Sequence, residues 1–337
     1  MLTRFAPSPT GELHLGHAYS ALLACDAARR AGGRFRLRID DIDGGRSREA
    51  YVVASLADLR WLGIAWDGDP VRQSQRLGSY QAALDDLRAR GLIYPCFCTR
   101  ADIAASLAAP HGPSGAIYPG TCRPSQGRAT HITRLPERSR GAPSSGARSF
   151  DVAASTSLGM APRLRSGNRQ DFATTEFIIE EAERERRLAT EPHCWRLDMD
   201  RAAGLAGDLQ WEEEGQGPRL ADPRAHGDVV LARKDAPASY HLASTLDDAA
   251  MGVTHVIRGA DLIAATDVHR LLQALLGLPV PRYRHHALVC GPDGKRLAKR
   301  DAAASLAALR AAGIDGRALA ADLLGGRLPT GYSLRMP

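Results

Sequence analysis

The feature that most constrains this chain is a short stretch near its amino terminus, Arg4–His17, which reads RFAPSPTGELHLGH. An apolar run leads into two prolines and a glycine, and two histidines then open an alanine- and leucine-rich helical pattern. This order predicts a strand, a tight turn and a helix start. Unpaired backbone amides and the positive end of the helix dipole meet at such a junction, which therefore favours an anion such as phosphate.

The two histidines, His14 and His17, stand three residues apart with Gly16 between them. A glycine lets a flat ligand lie against the backbone where a Cβ would collide. Imidazoles can donate hydrogen bonds to phosphate oxygens as charge builds up in a transition state. The same spacing is also typical of surface histidines or of a metal site, so the histidines indicate nucleotide chemistry only together with the turn before them.

Downstream of this stretch the pattern predicts an α/β fold. Residues Gly16–Arg30 have helical periodicity and Arg34–Ile39 alternates like a strand, which together give the strand–helix–strand unit of a Rossmann-like parallel sheet. Asp40, Asp41 and Asp43 follow at the carboxyl end of that strand, where such sheets bind substrates. Taken alone, these carboxylates would be interpreted as a solvated acidic turn.

Composition narrows the class of protein. No segment approaches 18 uninterrupted apolar residues, so we expect a cytoplasmic protein without a membrane partner. Six cysteines in 337 residues are too few for a disulfide scaffold. The net charge of +6 comes mostly from residues 124–175, a segment rich in Ser, Gly, Pro and Arg that we predict to be a disordered surface insertion. Overall charge is therefore weak evidence for RNA binding.

Three cysteines form a candidate metal site. Cys96 and Cys98 are two residues apart, and Cys122 returns after a predicted helix at Ala101–Ala108. Three thiolates favour zinc, with buried free thiols as the alternative interpretation. Candidates for a fourth ligand include His111, His193 and Cys194.

The second half of the chain contains further candidate site residues. Tyr240 opens a predicted helix, and Arg258 ends a predicted strand 18 residues later; an exposed tyrosine and an ion-paired arginine are the ordinary interpretation. Only three of the 44 basic residues are lysines, and two of them, Lys295 and Lys299, share one loop. A compact ammonium group suits a moving polyphosphate better than a guanidinium does, although a solvated basic loop would have the same composition.

Two of these stretches resemble the signatures of class I aminoacyl-tRNA synthetases in their glutamyl form. PSPTGELHLGH resembles the first signature, and RLAKR at 296–300 resembles the second, with Ala298 in place of a serine. The resemblance implies that His14, Gly16, His17 and Lys299 bind ATP with Mg²⁺, and that His14, His17 and Lys299 act on it. It also implies that glutamate is held by Arg4, Ser8, Asp40, Tyr240 and Arg258, where Asp40 is one methylene shorter than the family's glutamate.

The cysteine pattern and the end of the chain resemble one branch of this family, a truncated paralogue of the glutamyl-tRNA synthetases. In that branch Cys96, Cys98, Tyr118 and Cys122 would bind one structural Zn²⁺. Only two short helices follow the second signature, so we expect no anticodon-binding domain. The resemblance implies a ligase that activates L-glutamate with ATP and attaches it to queuosine of tRNA(Asp). We expect a monomer.

Other functions stay open at the level of sequence. They are the charging of tRNA(Glu) by a truncated glutamyl-tRNA synthetase, a nucleotidylyltransferase of similar fold, and a non-catalytic RNA-binding relative. The resemblance covers about residues 2–122 and 192–324, and the insertion at 124–175 departs from the paralogue's pattern. We expect four segments: a Rossmann-like first half (1–94), a zinc-bearing subdomain (95–224), a catalytic second half (225–290), and a signature loop with a helical stem (291–337).

Overall fold

The computed structural model describes residues 1–99, 101–103, 117–124, 181–297 and 305–337. The chain divides into two compact units, one made of Met1–Ser125 with Ile178–Pro337 and the other of Gln126–Phe177. All described residues belong to the first unit. Ala298, Lys299, His111 and nearly all of the predicted insertion therefore lie outside the described residues.

The helices and strands alternate as an α/β chain should. The described helices are Leu15–Arg30, Glu49–Trp61, Leu77–Ala89, Glu181–Thr190, Met199–Ala206, Tyr240–Ala250, Ile263–Leu275, Leu306–Ala311 and Gly316–Leu324. The strands are β1 Leu2–Phe5, β2 Arg34–Ile39, β3 Val71–Arg72, β4 Ile93–Cys96, β5 Cys194–Leu197, β6 Gln210–Glu213, β7 Gly217–Leu220, β8 Val230–Ala232, β9 His255–Gly259, β10 Arg282–His286, β11 Leu288–Cys290 and β12 Ser333–Arg335.

Two groups of parallel strands form the centre of the molecule. Strands β1, β2 and β3 pair in parallel, and β10 pairs in parallel with both β9 and β6. The groups meet where the backbone amide of Thr254 donates to the carbonyl of Leu2 at 3.0 Å. This arrangement confirms the predicted α/β fold with a parallel sheet, and it places the ends of β1, β2 and β9 side by side.

Three elements differ from the sequence-based expectation. Residues Tyr283–Val289, which from their pattern alone we expect to form a single strand, form two strands, β10 and β11, separated by Ala287. The carboxyl-terminal stem is not wholly helical, because β12 follows its helices and pairs antiparallel with β11. The hairpin of β6 and β7 was not predicted, since its few apolar residues give no clear alternation.

The apolar core contains two large clusters. In the first, the helix Leu15–Arg30 packs with Phe35, Leu37 and Leu319, all buried. In the second, Leu87, Leu197, Leu242 and Leu272 pack together. Among the described residues no helix has the length and apolar content needed to cross a bilayer.

The carboxyl-terminal helices are seated tightly on the amino-terminal half. A Cβ at Gly316 would lie 2.3 Å from the carbonyl oxygen of Trp61, so only glycine permits this approach. Nearby, the buried carboxylate of Asp58 lies 2.9 Å from Nη1 of Arg310. Burial raises the pKa of Asp58 to about 6, although Arg310 opposes the shift. These contacts join the residues that follow the second signature to the helix Glu49–Trp61.

Candidate active site

A cavity of about 200 Å³ opens at the carboxyl ends of β1, β2 and β9. This edge is where open α/β sheets bind their ligands. Seven of the residues predicted from sequence line the cavity, namely Arg4, His14, Gly16, His17, Asp40, Tyr240 and Arg258. Residues separated by up to 254 positions in sequence therefore share one site.

The first signature forms the helix start that its sequence predicts. His14 is the N-cap of the helix Leu15–Arg30, and its Nδ1 accepts the backbone amide of Gly16 at 3.1 Å. The backbone amide of His14 in turn donates to Nδ1 of His17 at 3.2 Å. Because both Nδ1 atoms are acceptors, a neutral ring carries its proton on Nε2 in each case. The cap thus presets both imidazoles as donors through Nε2.

The first two residues of the second signature lie beside these histidines. Arg296 and Leu297 line the same cavity, and Asp261 pairs with Nη1 of Arg296 at 2.7 Å. Beyond the segment 298–304, Ser305 forms a β-bridge with His14, and the amide of Leu306 donates to Leu13 at 2.8 Å. Both ends of the segment that contains Lys299 are therefore anchored at the cavity, while Lys299 itself lies outside the described residues.

A buried charge network lies at the wall formed by β1 and β2. Arg38 is fully buried and contacts Asp40 at 2.6 Å and Asp248 at 2.5 Å. Arg4 donates to the same Asp248 at 2.9 Å. Burial would raise the pKa of Asp248, but Arg4 and Arg38 outweigh it and lower the pKa. For Asp40, burial prevails over Arg38 and raises the pKa.

Sequence reasoning missed the partners in this network. Asp248 and its neighbour Asp247 lie on the buried face of the helix Tyr240–Ala250, and Asp247 accepts from Arg76 at 2.6 Å and from Tyr80 at 2.8 Å. Two adjacent aspartates within an apolar helical pattern were the available signal, because unpaired carboxylates are almost never buried. They fix the helix that carries Tyr240 against the sheet.

Arg258 is buried at the end of β9, with 5% of its surface exposed. All of its donors contact neutral acceptors, which are Tyr240 Oη, His269 Nδ1, His285 Nε2, Thr266 Oγ1 and the carbonyl of Leu262, at 2.7–3.2 Å. Within the part of the chain that the structure describes, no carboxylate forms an ion pair with it. The ordinary interpretation of Arg258 as an ion-paired strand end is therefore wrong, and a buried positive charge faces the cavity.

The histidines that contact Arg258 are uncharged, so they do not neutralise its positive charge. Burial and then the charge of Arg258 lower the pKa of His285 to about 4, although Glu213 opposes the shift. The same two causes hold the pKa of His269 well below its usual value. Both rings are therefore neutral acceptors near pH 7. Neither histidine was predicted as a site residue, since a lone histidine in an apolar pattern carries no specific signal.

Some predicted residues lie away from the cavity. Ser8 is not among the lining residues; it sits in the turn after β1, where its carbonyl accepts the amide of Thr10 at 2.9 Å. Of the acidic run after β2, only Asp40 reaches the cavity. Asp41 accepts from the backbone and hydroxyl of Ser74, and Asp43 pairs with Arg46.

The cysteine motif gathers into a cluster at the end of β4. The Sγ atoms of Cys96, Cys98 and Cys122 lie within 4.8 Å of one another, a set that could hold a metal ion. The phenol oxygen of Tyr118 lies 3.3 Å from Sγ of Cys96 and 3.5 Å from Sγ of Cys98. Cys194, opposite Cys96 in the β4–β5 pairing, is also buried beside this cluster.

One basic residue supports this cluster and was not predicted. The guanidinium of Arg196 stacks over the ring of Tyr118 at 3.8 Å. Hydrogen bonds from Cys122 and Cys194 lower the pKa of the Cys96 thiol, which favours its thiolate. The thiolate is the form in which cysteine binds a metal ion, so the shift at Cys96 is compatible with a metal-binding set.

Comparison with known proteins places the chain in a family. The family described as tRNA synthetases class I (E and Q), catalytic domain, matches residues 1–111 and 163–323. A glutamyl-Q tRNA(Asp) synthetase of Rhodobacter capsulatus is 46% identical, covering 93% of this chain and 96% of that protein. Another from Symbiobacterium thermophilum is 42% identical, covering 92% of this chain and 81% of that protein.

Solved structures agree with the fold. A glutamate-tRNA synthetase of Elizabethkingia anophelis superposes with a TM-score of 0.64 at 26% identity, covering 89% of this chain and 53% of that one. The chain thus spans about half the length of that synthetase, but nearly the full length of the Rhodobacter relative. With cavity, signatures and relatives in agreement, the chain belongs to the glutamyl-Q tRNA(Asp) synthetases, a family of ligases within the class I tRNA synthetases.

Proposed function

We propose that the protein activates L-glutamate with ATP to form glutamyl-adenylate and then transfers glutamate to queuosine in the anticodon of tRNA(Asp). The chain matches proteins named glutamyl-Q tRNA(Asp) synthetase over most of their length. The observation that carries the proposal is Arg258, a buried guanidinium that faces the cavity and has only neutral acceptors around it.

The acidic side chain of glutamate supplies the charge that Arg258 lacks. A guanidinium pairs two carboxylate oxygens at once, and this pairing is strong where water is excluded. Tyr240, which is 38% exposed and lies 3.2 Å from Arg258, can move its hydroxyl onto the incoming carboxylate. Glutamine would leave the guanidinium without a counter-charge and would be rejected.

The other end of glutamate lies towards β2 in this proposal. Asp40 would accept hydrogen bonds from the α-ammonium group. Nε of Arg38 lies 2.6 Å from Oδ1 of Asp40 and holds this carboxylate in place. Arg4 donates to Asp248 through Nε and Nη2 and also lines the cavity, so it would face glutamate from a fixed position. That Ser8 also binds the amino acid stays a prediction from the resemblance.

Activation joins the α-carboxylate of glutamate to the α-phosphorus of ATP. A carboxylate oxygen forms the new P–O bond while the bond to the β-phosphate bridging oxygen breaks, and pyrophosphate leaves. His14 and His17 donate from Nε2 to phosphate oxygens, and the glycine at 16 leaves room for the nucleotide. Lys299 would supply a further positive charge. Mg²⁺ would enter with the phosphates and share their charge.

Transfer consumes the adenylate. A hydroxyl of the cyclopentenediol ring of queuosine attacks the glutamyl carbonyl, its proton passes to the departing phosphate or to water, and the bond between the carbonyl carbon and the phosphate oxygen breaks so that AMP leaves. Neither step uses a side-chain nucleophile, because substrates supply both attacking oxygens. Catalysis then consists of positioning and electrostatic stabilisation.

We also propose that Cys96, Cys98, Cys122 and Tyr118 hold a structural Zn²⁺. A tetrahedral zinc ion would separate bound sulfur atoms by about 3.8 Å, and a sulfur from a bound oxygen by about 3.5 Å. The observed 3.5 Å between Sγ of Cys98 and Cys122, and 3.3–3.5 Å from Tyr118 to the sulfurs, fit this geometry.

The four-segment division, the cytoplasmic location and the monomeric state stay predictions from the sequence.

The test of the proposed function separates its two steps. Purified protein is incubated with ATP and labelled pyrophosphate, with and without glutamate, and then with labelled glutamate and tRNA. We expect pyrophosphate exchange that requires glutamate, and label on tRNA(Asp) only when it carries queuosine. Exchange without glutamate would favour a nucleotidylyltransferase, and label on tRNA(Glu) would favour ordinary charging, the activity named for a Nitrosococcus oceani relative at 36% identity.

A further inference from the structure

A buried carboxylate–imidazole pair stands behind Arg258, and the proposed mechanism does not use it. Glu213 ends β6 and is 2% exposed, while His285 lies on β10 and is 9% exposed. One oxygen of Glu213 lies 2.7 Å from Nδ1 of His285, and the other accepts the backbone amide of the same residue at 2.8 Å. Both carboxylate oxygens are therefore directed at a single histidine.

This contact sets the tautomer of His285. The ring is neutral near pH 7, and a carboxylate at Nδ1 places its single proton on that nitrogen. Nε2 is then an acceptor, and it receives the Nε–H of Arg258 at 3.2 Å. In the opposite tautomer two N–H groups would face each other, and the inner edge of Arg258 would lose its partner.

The pair also places a negative charge near Arg258 without direct contact. Carboxylates contact Arg4 and Arg38 directly. Arg258 instead has an imidazole between it and Glu213. No resident carboxylate therefore competes with an incoming one for the outer donors of Arg258.

We propose that Glu213 and His285 are positioning residues that orient Arg258 and so set the affinity for the acidic side chain of the substrate. This inference rests on the proposed function, because it assigns a second layer to the same glutamate pocket. It differs from the assignment of Arg258 itself, since neither positioning residue touches the substrate. Glu213 acts only through the proton that it holds on His285.

The variant Glu213→Gln tests the proposal with little change in shape. The amide group can donate to Nδ1, which would move the histidine proton to Nε2 and turn a donor towards Arg258. We expect the KM for glutamate in pyrophosphate exchange to rise about 10-fold or more, since a hydrogen bond to a charged group is lost. The KM for ATP and kcat should change little. Glu212→Gln, on the adjacent exposed position of β6, is the matched control and should behave as wild type.

A double variant tests whether Glu213 acts through the histidine. In His285→Gln the carboxylate has no imidazole to orient, so adding Glu213→Gln should change the KM for glutamate no further. Multiplying effects would overturn the relay, as would an unchanged KM for glutamate in Glu213→Gln. A parallel rise in both KM values with a lowered unfolding midpoint would overturn it in favour of a structural role.

The outcomes remain separable from failure of the proposed function. If wild-type protein shows no glutamate-dependent exchange, the function itself is wrong and the variants are not needed to decide it. If Glu213→Gln does not fold, His285→Gln alone gives the decision: a rise confined to the KM for glutamate supports the proposal, and an unchanged value overturns it.

Discussion

Replacing Arg258 by lysine keeps the charge of the candidate glutamate pocket and removes its geometry. The guanidinium has donors for five neutral acceptors and lies 5.4 Å from the ring of Tyr283. A lysine ammonium has three donors and cannot pair both oxygens of one carboxylate in a plane. Losing one charge-assisted hydrogen bond costs about 1.5–3 kcal/mol, which is about 10- to 150-fold in an affinity.

We therefore expect Arg258→Lys to lower kcat/KM for glutamate by about 10- to 150-fold in pyrophosphate exchange, with the KM for ATP nearly unchanged. Arg282→Lys is the matched control, because Arg282 is exposed at the start of β10. A change in kcat/KM of less than about threefold for Arg258→Lys would refute the claim that a planar fork holds the substrate carboxylate. An equal loss for ATP would point instead to collapse of the cavity.

Three further predictions concern stability, pH and metal. Gly316→Ala should lower the free energy of unfolding by about 1–3 kcal/mol in urea titrations, because its Cβ would meet the carbonyl of Trp61 at 2.3 Å; an unchanged midpoint would contradict this contact. The folded-state pKa of Asp58, about 6, lies above the ordinary value of 3.8, so the folded state binds more protons, and this group's contribution to stability falls as pH rises from about 4 to 6. Asp58→Asn should therefore gain stability relative to wild type across that window, and a constant difference would contradict it. Cys98→Ser should lose the bound zinc measured by elemental analysis, and Tyr118→Phe should weaken its retention against a chelator; full zinc retention by both would exclude the proposed set.

Local patterns predicted those parts of the site that lie close together in sequence. The strand Arg34–Ile39 matches its prediction, and the first helix begins one residue earlier than expected, at Leu15. His14 caps this helix because a side chain just before an apolar helical pattern has backbone amides to accept from. Such short-range effects are encoded within a few residues.

The layer behind the site depends on long-range contacts that periodicity cannot reveal. Arg38 meets Asp248 across 210 positions, and His285 meets Glu213 across 72. In the sequence each appears as an ordinary charged or polar residue within an apolar strand or helix. Only the assembled sheet shows that Arg258 has neutral neighbours while Arg38 has carboxylates.

The cysteine cluster shows the same division. The spacing of Cys96 and Cys98 predicted that both bind one metal ion, and in the structure Cys122 and Tyr118 lie beside them. The stacking of Arg196 on Tyr118 could not be predicted, because it depends on the pairing of β4 with β5. Residue type therefore indicated the chemistry, and topology determined its surroundings.

The most direct measurement identifies the atom that receives glutamate. tRNA(Asp) carrying queuosine is incubated with the protein, ATP and labelled glutamate, digested to nucleosides, and analysed by mass spectrometry. If the protein transfers glutamate from glutamyl-adenylate to queuosine, the queuosine nucleoside should gain the mass of a glutamyl group. The 3′-terminal adenosine should gain none. Glutamate on that terminal adenosine, with queuosine unmodified, would contradict the account.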